Sequence, residues 1–261
     1  MKCFSNACAL ALAVAASGCI TTGNMQRAET LGRGNFEFGV EPGLWAGIIT
    51  NRNANAGNVY LPSLNFSARF GVSDRVDIGG RFGSGILELQ TKFMLTAPES
   101  SFVLSLAPTV QGFAFGGSAG AGFVGVGFAN IAVPLLIGFK FGPHELTLGP
   151  RVNNFLLFGG SGVGGSAVAY AFLPGLSVGF AARVTDFFEL MPEVSVALPV
   201  ASAGGVSGNL SAGTGGNGVL LNVGVGVKFG RLKKTGAPPP PVEQVEPPQV
   251  PLDSPPPPPP P

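Results

Sequence analysis

Apolar and polar residues alternate with a period of two along most of the chain between residues 34 and 230. In the first such stretch, Phe36 and Phe38 have one parity, whereas Glu37 and Glu41 have the other. Successive side chains of a β-strand point to opposite faces, whereas an amphipathic helix repeats every 3.6 residues. The alternation therefore predicts strands with one apolar face and one polar face.

Three long stretches carry no charge and would be taken for membrane helices on hydropathy alone. They cover residues 100–139, 152–182 and 194–227. Their glycine content argues against helices, since each Gly in a helix interior costs about 1 kcal/mol relative to Ala. Seven glycines fall between residues 112 and 127 alone. We therefore predict an all-β protein.

The pattern predicts ten strands within residues 34–230, an even number that suits an antiparallel up-and-down transmembrane β-barrel. Tight turns alternate with mostly longer connections rich in Gly, Asn or Ser, as periplasmic turns alternate with external loops in such barrels. The tight turns cover residues 71–74, 97–100, 142–143 and 184–186, and the other connections 47–58, 83–85, 116–121, 159–165 and 201–217. The predicted strands cover residues 34–46, 59–71, 75–83, 86–96, 101–115, 122–141, 144–158, 166–183, 187–200 and 218–230.

One predicted strand changes phase along its length. Val126 and Phe128 have one parity, but Ile131 and Val133 have the other. If all of these apolar side chains face the same way, the strand must contain one extra residue. We therefore predict a β-bulge near Ala129–Asn130.

Charged side chains within the strands occur on the polar parity, where seven acids and seven bases can neutralise one another. A Lys or Arg facing lipid at mid-bilayer costs about 2–4 kcal/mol, which accounts for their exclusion from the apolar parity. A soluble β-sandwich also alternates, but its loops should carry charge, and here Arg52 is the exception among uncharged long loops. The sandwich remains the alternative fold. The predicted lumenal charges are Glu37, Glu41, Arg69, Asp77, Arg81, Glu88, Lys92, Lys140, Glu145, Arg151, Arg183, Glu189, Glu193 and Lys228.

Aromatic residues cluster toward the strand ends, as they do in the interfacial girdles of membrane barrels. Sandwich cores also contain Phe, so this pattern supports the barrel without deciding it. The predicted girdles contain Trp45, Tyr60, Phe82, Phe115, Phe158 and Tyr170 on the loop side, and Phe36, Phe70, Phe102, Phe141, Phe187 and Phe229 on the turn side.

Residues 1–18 have the organisation of an export signal peptide. Lys2 supplies the positive charge, and residues 9–16 form an apolar core that is too short to span a bilayer as a helix. The residues that follow, 19–33, are expected to be a periplasmic linker that leads into the barrel.

The end of the signal peptide, Ala16-Ser17-Gly18-Cys19, resembles the lipobox at which bacterial lipoproteins are processed. The resemblance implies lipid attachment at Cys19 and, because Ile20 is not Asp, sorting to the outer membrane. Removal of the signal would also leave Cys19 without a disulfide partner in an oxidising compartment, which acylation explains. Ordinary cleavage near Ala16 is the alternative.

Residues 70–79, Phe-Gly-Val-Ser-Asp-Arg-Val-Asp-Ile-Gly, resemble the strand–turn–strand repeat of small bacterial outer-membrane β-barrel proteins. In that class a Gly and an Asp-Arg pair form the periplasmic hairpin. The resemblance implies localisation in the outer membrane of a Gram-negative bacterium, with outer-membrane lipid as the surrounding partner.

The C-terminal segment, residues 231–261, is predicted to be a periplasmic tail without a packed core. It contains 14 Pro among residues 237–261, a composition that favours extended polyproline II. We expect a disordered spacer; the sharper hypothesis is a tether that contacts peptidoglycan or a periplasmic partner.

Composition and motifs narrow the function. A formal net charge of +1 gives no basis for nucleic-acid binding. Gly160, Gly162 and Gly165 match a dinucleotide fingerprint, but a strand rather than a helix is predicted to follow. His144 is the single histidine, and we predict no metal site, cofactor or catalytic residue.

Three functional hypotheses remain open at this stage. The first is a barrel with a structural or adhesive role in the envelope, its lumen filled by paired charges. The second is a narrow, porin-like pore for passive diffusion of small solutes, since abundant inward glycines leave space. The third is a soluble, lipid-anchored β-sandwich that binds a ligand.

Overall fold

The computed structural model describes residues 22–49, 58–84, 86–119, 122–161, 165–206, 209–214 and 218–231. Within these ranges no helix is long and apolar enough to cross a membrane. The strands are β1 (Phe36–Ile49), β2 (Asn58–Ser73), β3 (Val76–Gly83), β4 (Ile86–Met94), β5 (Phe102–Leu106), β6 (Thr109–Ala119), β7 (Gly122–Phe141), β8 (His144–Ser161), β9 (Gly165–Arg183), β10 (Phe188–Ala197), β11 (Ala201–Val206), β12 (Asn209–Thr214) and β13 (Gly218–Arg231).

The strands form a closed barrel in which the described strand pairs are all antiparallel. β1 pairs with both β2 and β13, and β13 pairs in turn with β10. β10 also pairs with β9, which closes the ring. The prediction of a ten-stranded barrel is confirmed, and the β-sandwich alternative is wrong, because a sandwich consists of two separate sheets.

Three interruptions explain why thirteen strand segments make a ten-stranded wall. Two are at prolines, and the third is between β12 and β13, which lie along β11 and β10 on either side of residues 215–217. β5 and β6 lie along the same two neighbours, β4 and β7, and are interrupted at Ala107–Pro108. β10 and β11 likewise follow β9 and are interrupted by residues 198–200, which include Pro199. Proline has no N–H to donate to a ladder, so the pairing is broken at these points.

The strands on the loop side are longer than predicted. Most of residues 201–217, expected to be a loop, form the hairpin of β11 and β12, which extends the wall beyond β10. β6 and β7 likewise pair as far as Ala119 and Gly122. Small, uncharged residues show no alternation of apolar and polar side chains. The sequence pattern therefore predicted strand ends that fall short of the observed ones.

The predicted bulge at Ala129–Asn130 is wrong. β7 keeps one register with β6 and one with β8 across this region, and Asn130 pairs with Gln111 and with Phe155. The phase of the apolar residues changes because Phe128 points into the barrel while Ile131 points outward. The register shift found here lies instead between Gly71 and Ser73 on β2.

The outer surface is apolar. Leu89, Phe82 and Leu87 are about three-fifths exposed, with exposed fractions of 65%, 59% and 61%. Such a surface requires lipid as its solvent. All six predicted turn-side aromatics are exposed, as are Tyr60, Phe82, Phe158 and Tyr170 on the loop side. The prediction that Trp45 belongs to the girdle is wrong, because its side chain is buried on the inward face of β1. The Phe115 side chain lies outside the described residues.

Candidate functional site in the barrel lumen

The predicted lumenal charges lie on the inward face of the wall. Thirteen of the fourteen are buried, and Lys140 is half-buried near the turn end. Burial of unpaired charge is costly, so each carboxylate and cation needs a partner inside the barrel. The partners come from the wall and from a segment that the sequence analysis placed elsewhere.

Part of the charge is neutralised between neighbouring strands. Arg69 lies 2.6 Å from Glu37, and Lys92 lies 3.0 Å from Asp77, in both cases directly across a strand pair. Arg81 bridges two strands, with its guanidinium 3.0 Å from Glu41 and 3.6 Å from Glu88. Lys228 joins Glu37 at 3.2 Å.

Residues 22–32, hereafter the inner segment, lie inside the barrel. Every one of them is buried. The chain leaves the lumen at Arg33, whose N–H donates to Asp74 in the turn between β2 and β3, and then enters β1. The expectation that residues 19–33 form a periplasmic linker is therefore wrong for the inner segment. Residues 22–32 show no alternation and no run of charge, so only packing could place them.

Three wall carboxylates hold the backbone amides of the inner segment. The two oxygens of Glu193 accept from the consecutive N–H groups of Asn24 and Met25, at 2.6 and 2.7 Å. Glu145 accepts in the same way from Ala28 and Glu29. Hydrogen bonds to ionised acceptors are stronger than neutral ones, so this arrangement fixes the segment firmly.

The N–H of Leu31 also donates to a carboxylate. Both oxygens of Asp77 lie 3.1 Å from this nitrogen. Asp77 is on β3, whereas Glu145 is on β8 and Glu193 on β10, so the amides are held from three sides of the barrel.

Wall cations hold the backbone carbonyls of the same segment. Arg81 donates to the oxygens of Gly23 and Asn24, at 3.1 and 2.7 Å. Lys92 donates to those of Arg27 and Glu29, at 3.2 and 2.7 Å. The remaining donors are Arg69 and Lys228 to Met25, Arg151 to Thr22, and Ser105 to Ala28.

Side chains of the inner segment complete the charge balance. Arg27 lies 3.2 Å from Glu189 and 3.4 Å from Glu145. Glu29 lies 3.4 Å from Lys140, the half-buried lysine near the turn end. The inner segment thus neutralises two wall carboxylates and one wall cation. The sequence had predicted that the charges of the wall neutralise one another.

Inward glycines give the inner segment its room. A Cβ added at Gly138 would lie 2.8 Å from the Cβ of Ala28, and one added at Gly224 would lie 2.6 Å from Met25 Cε. Gly149 faces the Asn24 side chain in the same way. Glycines at inward positions predicted free space in the lumen. In the structure the inner segment fills that space, and the glycines are the one feature of the sequence that indicates it.

An apolar layer lies above the inner segment, toward the loop side. Phe128 stacks on Phe155 with ring centroids 5.3 Å apart. Ile86, Leu173 and Ala197 complete this buried cluster. Its residues lie nearer the loop ends of their strands than the charged residues do, so this apolar layer covers the loop side of the inner segment.

Little space is left around the inner segment. The cavity beside Arg27, Glu29 and Arg183 holds about 20 Å³, and that beside Gly23 and Ser63 about 10 Å³. A volume of this size admits about one water molecule.

The remaining candidate features are placed as follows. His144 opens β8, and its ring lies 6.1 Å from that of Phe180. Gly160 is the penultimate residue of β8 and Gly165 begins β9, so the glycine motif joins two strands. In the described ranges, no group of three or more His, Cys, Asp or Glu is arranged to hold a metal ion. Cys19, the signal peptide and most of the Pro-rich tail lie outside the described residues.

No protein-family model matches this sequence, and no curated protein matches it. Solved structures that resemble the fold are outer-membrane proteins. Neisserial surface protein A has a TM-score of 0.37 and 12% identity, covering 74% of this chain and 96% of its own. The outer-membrane protease OmpT from Escherichia coli has a TM-score of 0.43 and 10% identity, covering 75% and 95%.

A third such structure is the translocator domain of the autotransporter NalP from Neisseria meningitidis. It has a TM-score of 0.41 and 12% identity, covering 87% of this chain and 95% of its own. Overlaps this low carry no activity from one protein to another. A closed, even-stranded barrel with an apolar exterior is the form that bacterial outer-membrane proteins have, and this protein has that form.

Proposed function

We propose that this outer-membrane barrel has a structural or adhesive role in the bacterial envelope, performs no catalysis, and does not conduct solutes. The observation that carries the proposal is the inner segment, whose amides and carbonyls occupy the polar groups that would otherwise line a water-filled channel. A pore needs such groups to face water.

The two layers of the lumen support the closed state independently. The inner segment fills the charged half, and the cluster around Phe128 and Phe155 occupies the half nearer the loops. Ions crossing the barrel would have to displace the first layer and lose their hydration in the second.

The external connections support a contact role. They are built of Gly, Ala, Ser and Asn, with Arg52 as the one charged residue in the five segments of the loop side. Such a surface offers hydroxyl, amide and backbone groups for contact and little charge for attracting ions.

Conductance in planar bilayers tests the closed lumen. The full chain should give no stepwise current at high protein load. A variant that lacks residues 22–32 and also carries Phe128→Ala and Phe155→Ala, which removes both layers, should conduct when it folds. Heat-modifiable gel migration reports folding for both. Stepwise current from the full chain with its inner segment in place would favour the alternative, a narrow diffusion pore.

The Pro-rich tail, residues 237–261, is proposed to reach a periplasmic partner such as peptidoglycan. If fully extended as polyproline II it spans about 75 Å, at about 3.1 Å per residue. Co-sedimentation with purified peptidoglycan should fall when these residues are deleted. Unchanged sedimentation would mean that the tail is a spacer and does not bind peptidoglycan.

A further inference from the structure

The wall recognises the inner segment chiefly through its backbone. From Thr22 to Leu31, carboxylates accept from five amide groups: those of Asn24, Met25, Ala28, Glu29 and Leu31. Cations and one hydroxyl donate to carbonyls over the same stretch. Because every peptide has these groups, the contacts define a site for a backbone as well as for this sequence.

The contacts select an extended peptide. In a helix, most amides and carbonyls are bonded to each other and would not be free for the wall. Glu193 and Glu145 each take two consecutive amides, which requires N–H groups that are not already used. Proline has no N–H, so a proline at these positions leaves a buried carboxylate without its donor.

The contacts also involve side chains: Thr22 bonds to Ser195 and Asn24 to Ser177, and two further positions define the ligand class. Arg27 lies between Glu145 and Glu189, both of which are fully buried. Ala28 faces Gly138 and contacts the apolar cluster that contains Leu136 and Val103. A ligand therefore needs a cation followed directly by a small residue.

We propose that the lumen is a binding site for an extended peptide of about ten residues, non-proline at the bonded amides, with a cation followed by a small residue. The inner segment is the resident ligand, and the site accepts such a peptide supplied as a separate molecule. The inference goes beyond a closed envelope barrel, because it assigns the lumen a ligand class. It also excludes the protein's own proline-rich tail as an occupant.

The junction at Arg33 allows a test with the full chain. Arg33 and Gly34 are exposed beside the turn, and the inner segment is already in place before them. A recognition site for a sequence-specific protease is inserted between these two residues. The full chain is folded in detergent and then cleaved, which turns the inner segment into a separate peptide within a folded barrel.

Exchange is then measured with a fluorescent synthetic peptide of residues 22–32. We expect the cleaved segment to co-elute with the barrel and to be replaced saturably by the labelled peptide. A peptide with Ala28→Pro should compete about tenfold less well, the usual effect of losing a hydrogen bond to a charged group. A peptide of residues 237–250 should not compete.

A second barrel variant tests whether the wall recognises the peptide through its backbone amide. In a Glu145→Gln barrel, the preference for the parent peptide over its Ala28→Pro form should shrink to less than about threefold. An Asn130→Ala barrel is the matched control, since Asn130 is a buried lumenal side chain that donates to Gln111. It should keep the tenfold preference.

The outcomes separate this inference from the proposed function. A folded, cleaved barrel that releases its segment and takes up no labelled peptide would overturn the binding site. Equal competition by the Ala28→Pro peptide would overturn recognition through the backbone. Neither result would open the full chain to ions, which is the separate measurement on which the closed envelope barrel depends.

Discussion

Single carboxylates decide whether the inner segment stays in the lumen. Glu193 is buried and accepts from two successive amides, those of Asn24 and Met25. Its position on β10 could be read from parity alone, since it alternates with Pro192 and Val194. Its partners could not, because they are 168 and 169 residues away in sequence.

Replacing this carboxylate should loosen the segment without unfolding the barrel. We expect Glu193→Gln to lower the free energy of unfolding by about 1.5–3 kcal/mol, the usual worth of hydrogen bonds to a charged group. Urea titration in lipid vesicles measures this change. Trypsin cleavage after Arg27 should also become faster, since Arg27 is protected only while it is buried.

Glu88→Gln is the matched control for charge and burial. Glu88 accepts from Gln111 at 2.6 Å and lies 3.6 Å from Arg81, both in the wall. Its removal should lower stability but leave Arg27 protected. Equal exposure of Arg27 in both variants would contradict a specific role for Glu193.

Inward glycine at position 138 is a second determinant at the residue scale. A Cβ there would meet Ala28 and Glu145 at 2.8 Å, so Gly138→Val should expel the segment from the lumen. Rapid trypsin cleavage after Arg27 in a folded barrel is the expected result. Gly117→Ala, where an added Cβ meets nothing within 4 Å, should leave Arg27 protected.

At the scale of elements, each strand separates lipid from lumen by parity. β4 shows this in its burial pattern, in which Ile86, Glu88, Gln90 and Lys92 are buried and the residues between them face outward or partly outward. The period of two was therefore sufficient to assign both faces of most strands from the sequence.

A charge on the outward face of β4 should be costly. Leu89 is 65% exposed near the middle of the strand. We expect Leu89→Arg to lower the free energy of unfolding by about 2–4 kcal/mol, because the side chain would face hydrocarbon. Folding into vesicles, followed by urea titration, measures this.

The control substitution is in the tight turn that follows β4. Ala97 is exposed after β4, on the tight-turn side. Ala97→Arg should change stability by less than about 0.5 kcal/mol, as surface substitutions usually do. Equal losses for the two variants would mean that the outer face of β4 is not in lipid.

Two element-scale predictions failed for physical reasons. β7 was expected to bulge because Phe128 was assumed to face lipid, yet it packs inside against Phe155. Residues 201–217 were expected to be a loop because Gly, Ala and Ser show little amphipathic contrast. Backbone pairing with β9 makes most of them strand, and the pairing does not depend on side-chain polarity.

For the molecule as a whole, the lumen and the lipid anchor predicted at Cys19 would require the same stretch of chain. Thr22 accepts from Arg151, which lies seven residues along β8 from the turn end at His144. At about 3.3 Å per residue and the usual tilt, that depth is about 17 Å along the barrel axis. The three residues from Thr22 to Cys19 span at most about 11 Å.

Acylation of Cys19 and occupation of the lumen should therefore exclude each other. In palmitate-labelled cells, acylated molecules should be cleaved by trypsin after Arg27, whereas a Cys19→Ser variant should be protected. Mass spectrometry of the purified products measures both. Acylated chains with a protected Arg27 would contradict the exclusion, and an absence of label would remove the proposed anchor.

The class of structure follows from local patterns along the chain. Alternation, even strand count and exclusion of charge from one parity favoured a closed barrel with a lipid-facing surface over a sandwich, because these properties depend on each strand's own residues and on the solvent around it. The inward position of residues such as Glu145 followed from the same rule.

The content of the lumen became apparent only from the folded barrel. The inner segment has no period of its own, and its partners are distributed over strands far apart in sequence. Its place depends on backbone groups, which are the same in every peptide, and on the space left by glycines from several strands. That space exists only once the barrel has closed, so no local pattern in the sequence could assign it.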